Sequence, residues 1–160
     1  MGYVDGVVAD DHPDPVHDRQ IVCIFCDIVS GMRDAHVVWD DDVAVAFLDG
    51  APLFLGHTLV VPRRHVVTLG DLDPTLVGPF FERVRLIVKH MPPALSVEGS
   101  FVANNNVVSQ SVAHLHVHVI PRIQGDGLRG FFWPRQKYSP GQADEFADRL
   151  RRVLDPIHLD

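Results

Sequence analysis

Histidine recurs at alternate positions in the run Ala113-His114-Leu115-His116-Val117-His118-Val119-Ile120, which takes three of the chain's ten histidines. An extended chain turns successive side chains to opposite faces, so His114, His116 and His118 share one face, about 7 Å apart, and Leu115, Val117 and Val119 the other. The apolar set belongs to a core, which leaves three imidazoles lining an open face or cleft. Two kinds of chemistry suit such a row. Three imidazoles around an open coordination position can hold a zinc or iron ion that activates water. Alternatively, one neutral imidazole attacks a phosphorus centre while its neighbours fix its tautomer and stabilise charge. Ser109-Gln110-Ser111, just upstream, offers hydroxyl and amide donors, which suit phosphate oxygens or a leaving group better than a metal. Asn104-Asn105-Asn106 comes before them, and its amides either face the same cleft or make a plain turn. The only cysteines, Cys23 and Cys26, stand at a Cys-x-x-Cys spacing that fits a metal knuckle or a redox pair.

These residues need a scaffold, and the hydrophobic pattern outlines one. Residues 1–19 mix Gly, Pro, Asp and His without a period, as in an acidic, poorly ordered tail, and residues 20–160 read as a single domain. His36 to Trp39 and Val43 to Leu48 form a hairpin about Asp40-Asp41-Asp42, and Thr58 to Val61 is a third strand closed by Pro62. Asp73-Pro74 opens a helix that runs to about Met91 before Pro92-Pro93, with Leu76, Val77, Phe80, Val84, Ile87, Val88 and Met91 as its buried stripe. Strands follow at Gly99 to about Asn105 and at Ala113 to Ile120. A last helix starts at Ser139-Pro140-Gly141-Gln142, with Phe146, Leu150, Val153 and Leu154 facing the core. The order predicts an α+β domain with a mainly antiparallel five-stranded sheet, one long central helix and a C-terminal helix.

Composition narrows the partners. At 160 residues and 46% apolar, the chain can bury a real core. A formal net charge of −7 argues against general affinity for nucleic-acid backbones. No apolar run reaches the ~18 residues of a membrane span and no secretory signal opens the chain, so a cytoplasmic protein is expected.

His-Leu-His-Val-His-Val-Ile preceded by Gln-Ser-Val resembles the signature of the histidine triad (HIT) family of nucleotidyl hydrolases and transferases. Cys23-Ile24-Phe25-Cys26-Asp27-Ile28-Val29-Ser30-Gly31, Ala46-Phe47-Leu48-Asp49 and Gly56-His57-Thr58-Leu59-Val60-Val61-Pro62-Arg63-Arg64-His65 are similar to its other blocks, in the same order. The resemblance covers roughly Ile21 to Arg122. It implies that His116 attacks the α-phosphorus of a purine nucleotide, adenosine being expected, and forms a nucleotidyl-histidine. His118 and His57 would bond the phosphate oxygens, and Ser111 the bridging or leaving atom, with Gln110 and Asn105 beside them. Asp49 would hold the ribose hydroxyls, and Ile24, Phe25, Ile28 and Phe47 would wall the base. His118, where the transferases have Gln, favours hydrolysis of a phosphoramidate or a dinucleoside polyphosphate. The bacterial branch further implies a structural zinc on Cys23, Cys26, His65 and His114, and a homodimer formed through the helix after Asp73. Two departures stand out. Val107-Val108 shortens a loop that is usually longer, and Ser109 occupies a position where Gly is common. The aromatic and basic stretch Gly127 to Tyr138 matches no block, and packing or binding of a substrate anion are both open for it.

Overall fold

The computed structural model describes residues 23–128 and 136–154. They divide after Gln124 into two compact units. The proposed tail and residues 129–135 of the aromatic and basic stretch lie outside the described residues.

Among the described residues of the first unit, a short helix comes first, α1 (Ile24–Val29), a segment to which the sequence pattern assigned no element. Five strands follow: β1 (Val37–Asp40), β2 (Ala44–Leu48), β3 (Thr58–Pro62), β4 (Gly99–Ala103) and β5 (Val117–Arg122). They pair antiparallel in the order β1-β2-β3-β5-β4. Between β3 and β4 runs the long helix α2 (Pro74–Leu95), opened by Asp73, whose carboxylate accepts from the Thr75 amide. This is the expected α+β architecture.

The alternation of β2 and β3 divides the core in two. Ala44, Ala46 and Val60 join Val117 and Val119 against Phe80, Val84 and Met91 of α2. Val45, Phe47, Leu59 and Val61 point the other way and pack with Cys23 and Phe25 at the start of α1. Small alanines, Ala44 and Ala46, stand on the α2 side of β2, while the larger side chains fill the α1 face. Of the predicted α2 stripe, Phe80, Val84 and Met91 are buried and Leu76, Ile87 and Val88 pack against them, but Val77 is exposed.

Three expectations are corrected. Pro92-Pro93 does not end α2, which continues to Leu95 and closes at Ser96 in a left-handed cap (φ 55°), whose amide bonds the Pro92 carbonyl. Proline removes an amide donor and crowds the preceding turn, yet near a helix end the lost bonds are few. The predicted last strand starts at Val117 rather than Ala113, so His114 and His116 lie in the irregular segment before it. In the second unit, α3 (Gln142–Leu154) has no buried residue, and Phe146, Leu150, Val153 and Leu154 are exposed instead of facing a core. Helical periodicity reports that an apolar stripe exists; it carries no information on what covers it.

Asp41 fastens the hairpin. Its Oδ1 accepts from the Val43 and Ala44 amides at 2.9 Å each, and its Oδ2 from Arg83 Nε of α2 at 2.8 Å. Burial pushes this carboxyl up, but those donors outweigh burial and hold it at about 2. The folded-state value is below the ordinary 3.8, so the stabilisation is present above that value and disappears as pH falls through about 2. Asp41→Asn is expected to lower unfolding free energy by about 2 kcal/mol at pH 7 in urea titrations, with the deficit shrinking toward pH 2.

Candidate active site and metal cluster

The triad histidines are not lined along an open face: His114 and His116 are 0% and 1% exposed, and only His118 is partly open. Each has its own partners, and these fix what each ring can do. His114 Nε2 lies 2.9 Å from the Pro62 carbonyl. A carbonyl only accepts, so this nitrogen carries the proton and Nδ1 holds the lone pair. That lone pair faces two sulfurs, Cys23 Sγ at 3.5 Å and Cys26 Sγ at 3.6 Å. His65 Nδ1 stands 3.2 Å from Cys26 Sγ. A tetrahedral zinc with ordinary Zn–S and Zn–N bonds separates its sulfur and nitrogen ligands by about 3.6 Å. Three of the sulfur–nitrogen pairs thus stand near ligand spacing, and the four donor atoms, all within 4.8 Å of one another, form a compact two-cysteine, two-histidine cluster. Without a cation, burial and the neighbouring Cys23 raise the Cys26 thiol to about 11.

His116 is held the opposite way round. Its Nδ1 donates to the His114 carbonyl at 2.7 Å, leaving Nε2 with the lone pair. The His116 carbonyl accepts from Asn104 Nδ2 at 2.8 Å. Asn104 Oδ1 is buried without a hydrogen-bond partner, an acceptor in reserve beside the nucleophile candidate. Phe25 meets the His116 ring edge-on at 5.3 Å.

His118 lies on β5 opposite Leu59, its Nδ1 3.0 Å from His57 Nε2 and its ring 4.9 Å from that of His116. Burial lowers it to about 4, helped by the neighbouring His116 and His57 rings. Burial likewise lowers His57 and His114, and in His57 Asp49 opposes the effect. Asp49 Oδ2 is 3.3 Å from His57 Nδ1, and its Oδ1 accepts from the Ala51 amide.

The three triad rings do not converge on a common metal position, since each Nδ1 faces a different partner. The clusters among the described residues instead split them: His114 with Cys23, Cys26 and His65, and His118 with Asp49 and His57. Of the expected base walls, Phe25 and Phe47 are buried edge-to-face neighbours at 5.4 Å, while Ile24 is exposed and Ile28 partly so. Ser111 is exposed on a 530 Å³ cavity shared with Cys23, Ile24, His65 and Val67. Gln110 turns inward on its own loop. Its Nε2 donates to the Val67 carbonyl at 2.6 Å and, at 3.4 Å, to the His114 carbonyl, and its Oε1 accepts from the Val107 amide. Asn105 Nδ2 bonds the Ser109 carbonyl and Asn106 Oδ1 the Leu69 amide. Within this loop Val107 and Ser109 adopt left-handed backbone, φ 67° and 61°.

The sequence matches the HIT domain over residues 30–125, well over half of the chain. The chain belongs to the histidine triad family. The HIT protein of Bacillus subtilis is 36% identical over 137 residues, covering 82% of this chain and 94% of that one. A crystal structure of a HIT family member from Bacillus subtilis superposes with a TM-score of 0.76 at 30% identity, covering 83% of this chain and 97% of that one. A zinc-bound histidine triad protein from Mycobacterium smegmatis gives a TM-score of 0.64 at 30% identity, covering 85% and 98%. An adenylylsulfatase of Arabidopsis thaliana is 32% identical over 108 residues, which are 66% of this chain and 55% of that larger protein. Among the described residues of this HIT protein no helix is long and apolar enough to cross a membrane.

The sequence reading missed the Asn104 clasp on the His116 carbonyl, although that residue sits in a conspicuous run of asparagines. The depressed His118 value has a direct readout. Its ordinary value is 6.5, and a neutral folded-state imidazole opposed to a protonated unfolded one loses stability as pH falls from there to about 4. An NMR titration of His118 should therefore find its midpoint near pH 4, with no ionisation between pH 5 and 8.

Proposed function

We propose that this HIT protein is a nucleotide hydrolase. It cleaves at the α-phosphate of a nucleoside phosphoramidate or a dinucleoside polyphosphate, with adenosine as the expected base, and releases a nucleoside monophosphate. The observation that carries this reading is the His116 Nδ1–H bond to the His114 carbonyl, which presents a neutral Nε2 lone pair inside the family's signature. That lone pair forms a bond to phosphorus as the bond to the leaving group breaks. The nucleotidylated ring is cationic, and the His114 carbonyl on Nδ1 stabilises it. Water then attacks phosphorus, the P–N bond breaks, the water's proton passes to solvent, and the imidazole recovers its lone pair. Positioning and charge stabilisation by His118 and Ser111 supply the rest. The relative named as an adenylylsulfatase supports an adenylyl compound as substrate. Asp49 is assigned to the ribose, Ile24 and Ile28 to the base, and Gln110 and Asn105 to the shape of the loop beside the phosphate.

The Cys23, Cys26, His65 and His114 cluster is assigned a structural zinc, supported by its donor spacing and by the zinc-bound relative. Cys23, Cys26, His65 and His114 would hold the ion with two thiolates and two imidazoles, and it would supply stiffness, tying the start of α1 and the segment after β3 to His114. The protein is further assigned to the cytoplasm as a homodimer. The outward face of α2, where Val77 and Phe81 are exposed, is the surface a second copy would cover.

Turnover is measured with a fluorogenic adenosine phosphoramidate and with diadenosine polyphosphates, and a rapid acid quench traps the adenylyl-protein for mass spectrometry. His116→Ala should lose roughly 10³-fold or more in kcat and all of the adduct. Equal rates for both proteins reject the nucleophile. Nucleotide binding with no turnover of any substrate would instead favour a binding module, the reading that the strained Val107 loop suggests. Elemental analysis should find stoichiometric zinc in the native protein, and Cys23→Ser/Cys26→Ser should lose it with a fall in melting temperature.

A further inference from the structure

The family resemblance makes His57 a phosphate partner, but its surroundings leave it no free nitrogen. The ring is 3% exposed. The loop from Asp49 to Gly56 closes around it: the Asp49 amide donates to the His57 carbonyl at 2.9 Å and the His57 amide to the Phe54 carbonyl at 3.0 Å. Its Nδ1 accepts from the Leu53 amide at 3.3 Å, and its Nε2 lies 3.0 Å from His118 Nδ1. From this we infer that His57 is a positioning residue: the Leu53 peptide N–H sets the tautomer of His57, and His57 in turn sets that of His118, so that His118 presents an Nε2–H donor to the substrate. The inference rests on the reading of His118 as the phosphate partner.

The logic is one of counting protons. A peptide N–H can only donate, so Nδ1 of His57 must keep its lone pair, and a neutral imidazole then carries its single proton on Nε2. That proton goes to His118 Nδ1, which must be the bare nitrogen of its own ring. The His118 proton is left on Nε2. Asp49 Oδ2, 3.3 Å from the same His57 Nδ1, favours the reverse arrangement, with a proton on Nδ1. Reversal would flip every hydrogen in the chain and turn His118 Nε2 into an acceptor, facing a phosphate anion with a lone pair. Two observations oppose it. The Leu53 donor is fixed by the backbone, whereas Asp49 already accepts from Ala51 through its other oxygen and contacts His57 only as a neighbouring charge. Burial also disfavours the doubly protonated ring that Asp49 would favour, and such a ring would set its Nδ1–H against the Leu53 N–H. The chain ends on a peptide amide that cannot supply a second proton, so His118 donates a hydrogen bond and retains its proton. It acts as a neutral stabiliser of phosphate charge rather than as an acid.

Long-range 1H–15N correlation spectra of histidine-labelled full-length protein near pH 7, without substrate, report which ring nitrogen bears the proton. The expected result is Nε2–H for both His57 and His118. A proton on Nδ1 of either ring overturns the inference. In His57→Leu the His118 signal should become a mixture of tautomers, and kcat for an adenosine phosphoramidate should fall roughly 10- to 100-fold with little change in KM. His57→Gln, whose amide can donate to His118 Nδ1, should restore the Nε2–H form and most of kcat. An unchanged His118 tautomer in His57→Leu also overturns the inference, and if that variant does not fold, the wild-type spectrum decides alone. Nε2–H tautomers in a protein that turns over no adenylate would sink the hydrolase reading while leaving the hydrogen-bond chain intact.

Discussion

One peptide carbonyl, that of His114, holds the site together. It accepts the Nδ1 proton of His116 and so decides which nitrogen of that ring is basic, and it also receives the long bond from Gln110. The same residue's side chain faces Cys23 and Cys26. Residue 114 therefore joins two functions through a single backbone unit. Its ring lies in the cysteine–histidine cluster and its carbonyl holds the ring of His116, so a displacement in one is a displacement in the other.

Keeping so much imidazole inside a protein requires a partner for every N–H. Here the Pro62 and His114 carbonyls serve His114 and His116, and the His57–His118 pair shares a third proton. Burial then does electrostatic work by disfavouring the cationic forms of His57, His114 and His118. A cluster of histidines that would titrate between pH 6 and 7 in water is thus held as a set of fixed dipoles. Phe25 contributes to that exclusion of water by packing edge-on against the ring of His116, and Phe47 packs edge-on against Phe25.

Much of this was legible in the residues. The alternation of β2 and β3, the Asp73-Pro74 start of α2 and the placement of Leu115, Val117 and Val119 in the core all follow from periodicity and capping chemistry. The Cys-x-x-Cys pair, with His65 and His114 from the resemblance, named a set of atoms that the fold brings together. What could not be read was backbone. The Pro62 and His114 carbonyls and the Leu53 amide carry no residue-type signal, yet they set the tautomers. The open row of three histidines failed for a different reason. The alternation holds, with Leu115, Val117 and Val119 together in one core, but the opposite face is covered: Phe25 packs edge-on against His114 and His116, and both are buried. The exposed stripe of α3 shows the same limit, because amphipathicity does not name a partner.

The loop before the triad adds a constraint of another kind. A β-branched residue in the left-handed region costs on the order of 1–2 kcal/mol, and Val107 sits there, followed two residues later by Ser109. Side chains of Asn105, Asn106 and Gln110 hold the segment in this disfavoured shape through bonds to Ser109, Leu69, Val107 and Val67. The ordering of this wall is accomplished when the chain folds. A molecule arriving beside it meets a surface whose conformational entropy is already spent, and whose shape it has little power to remould.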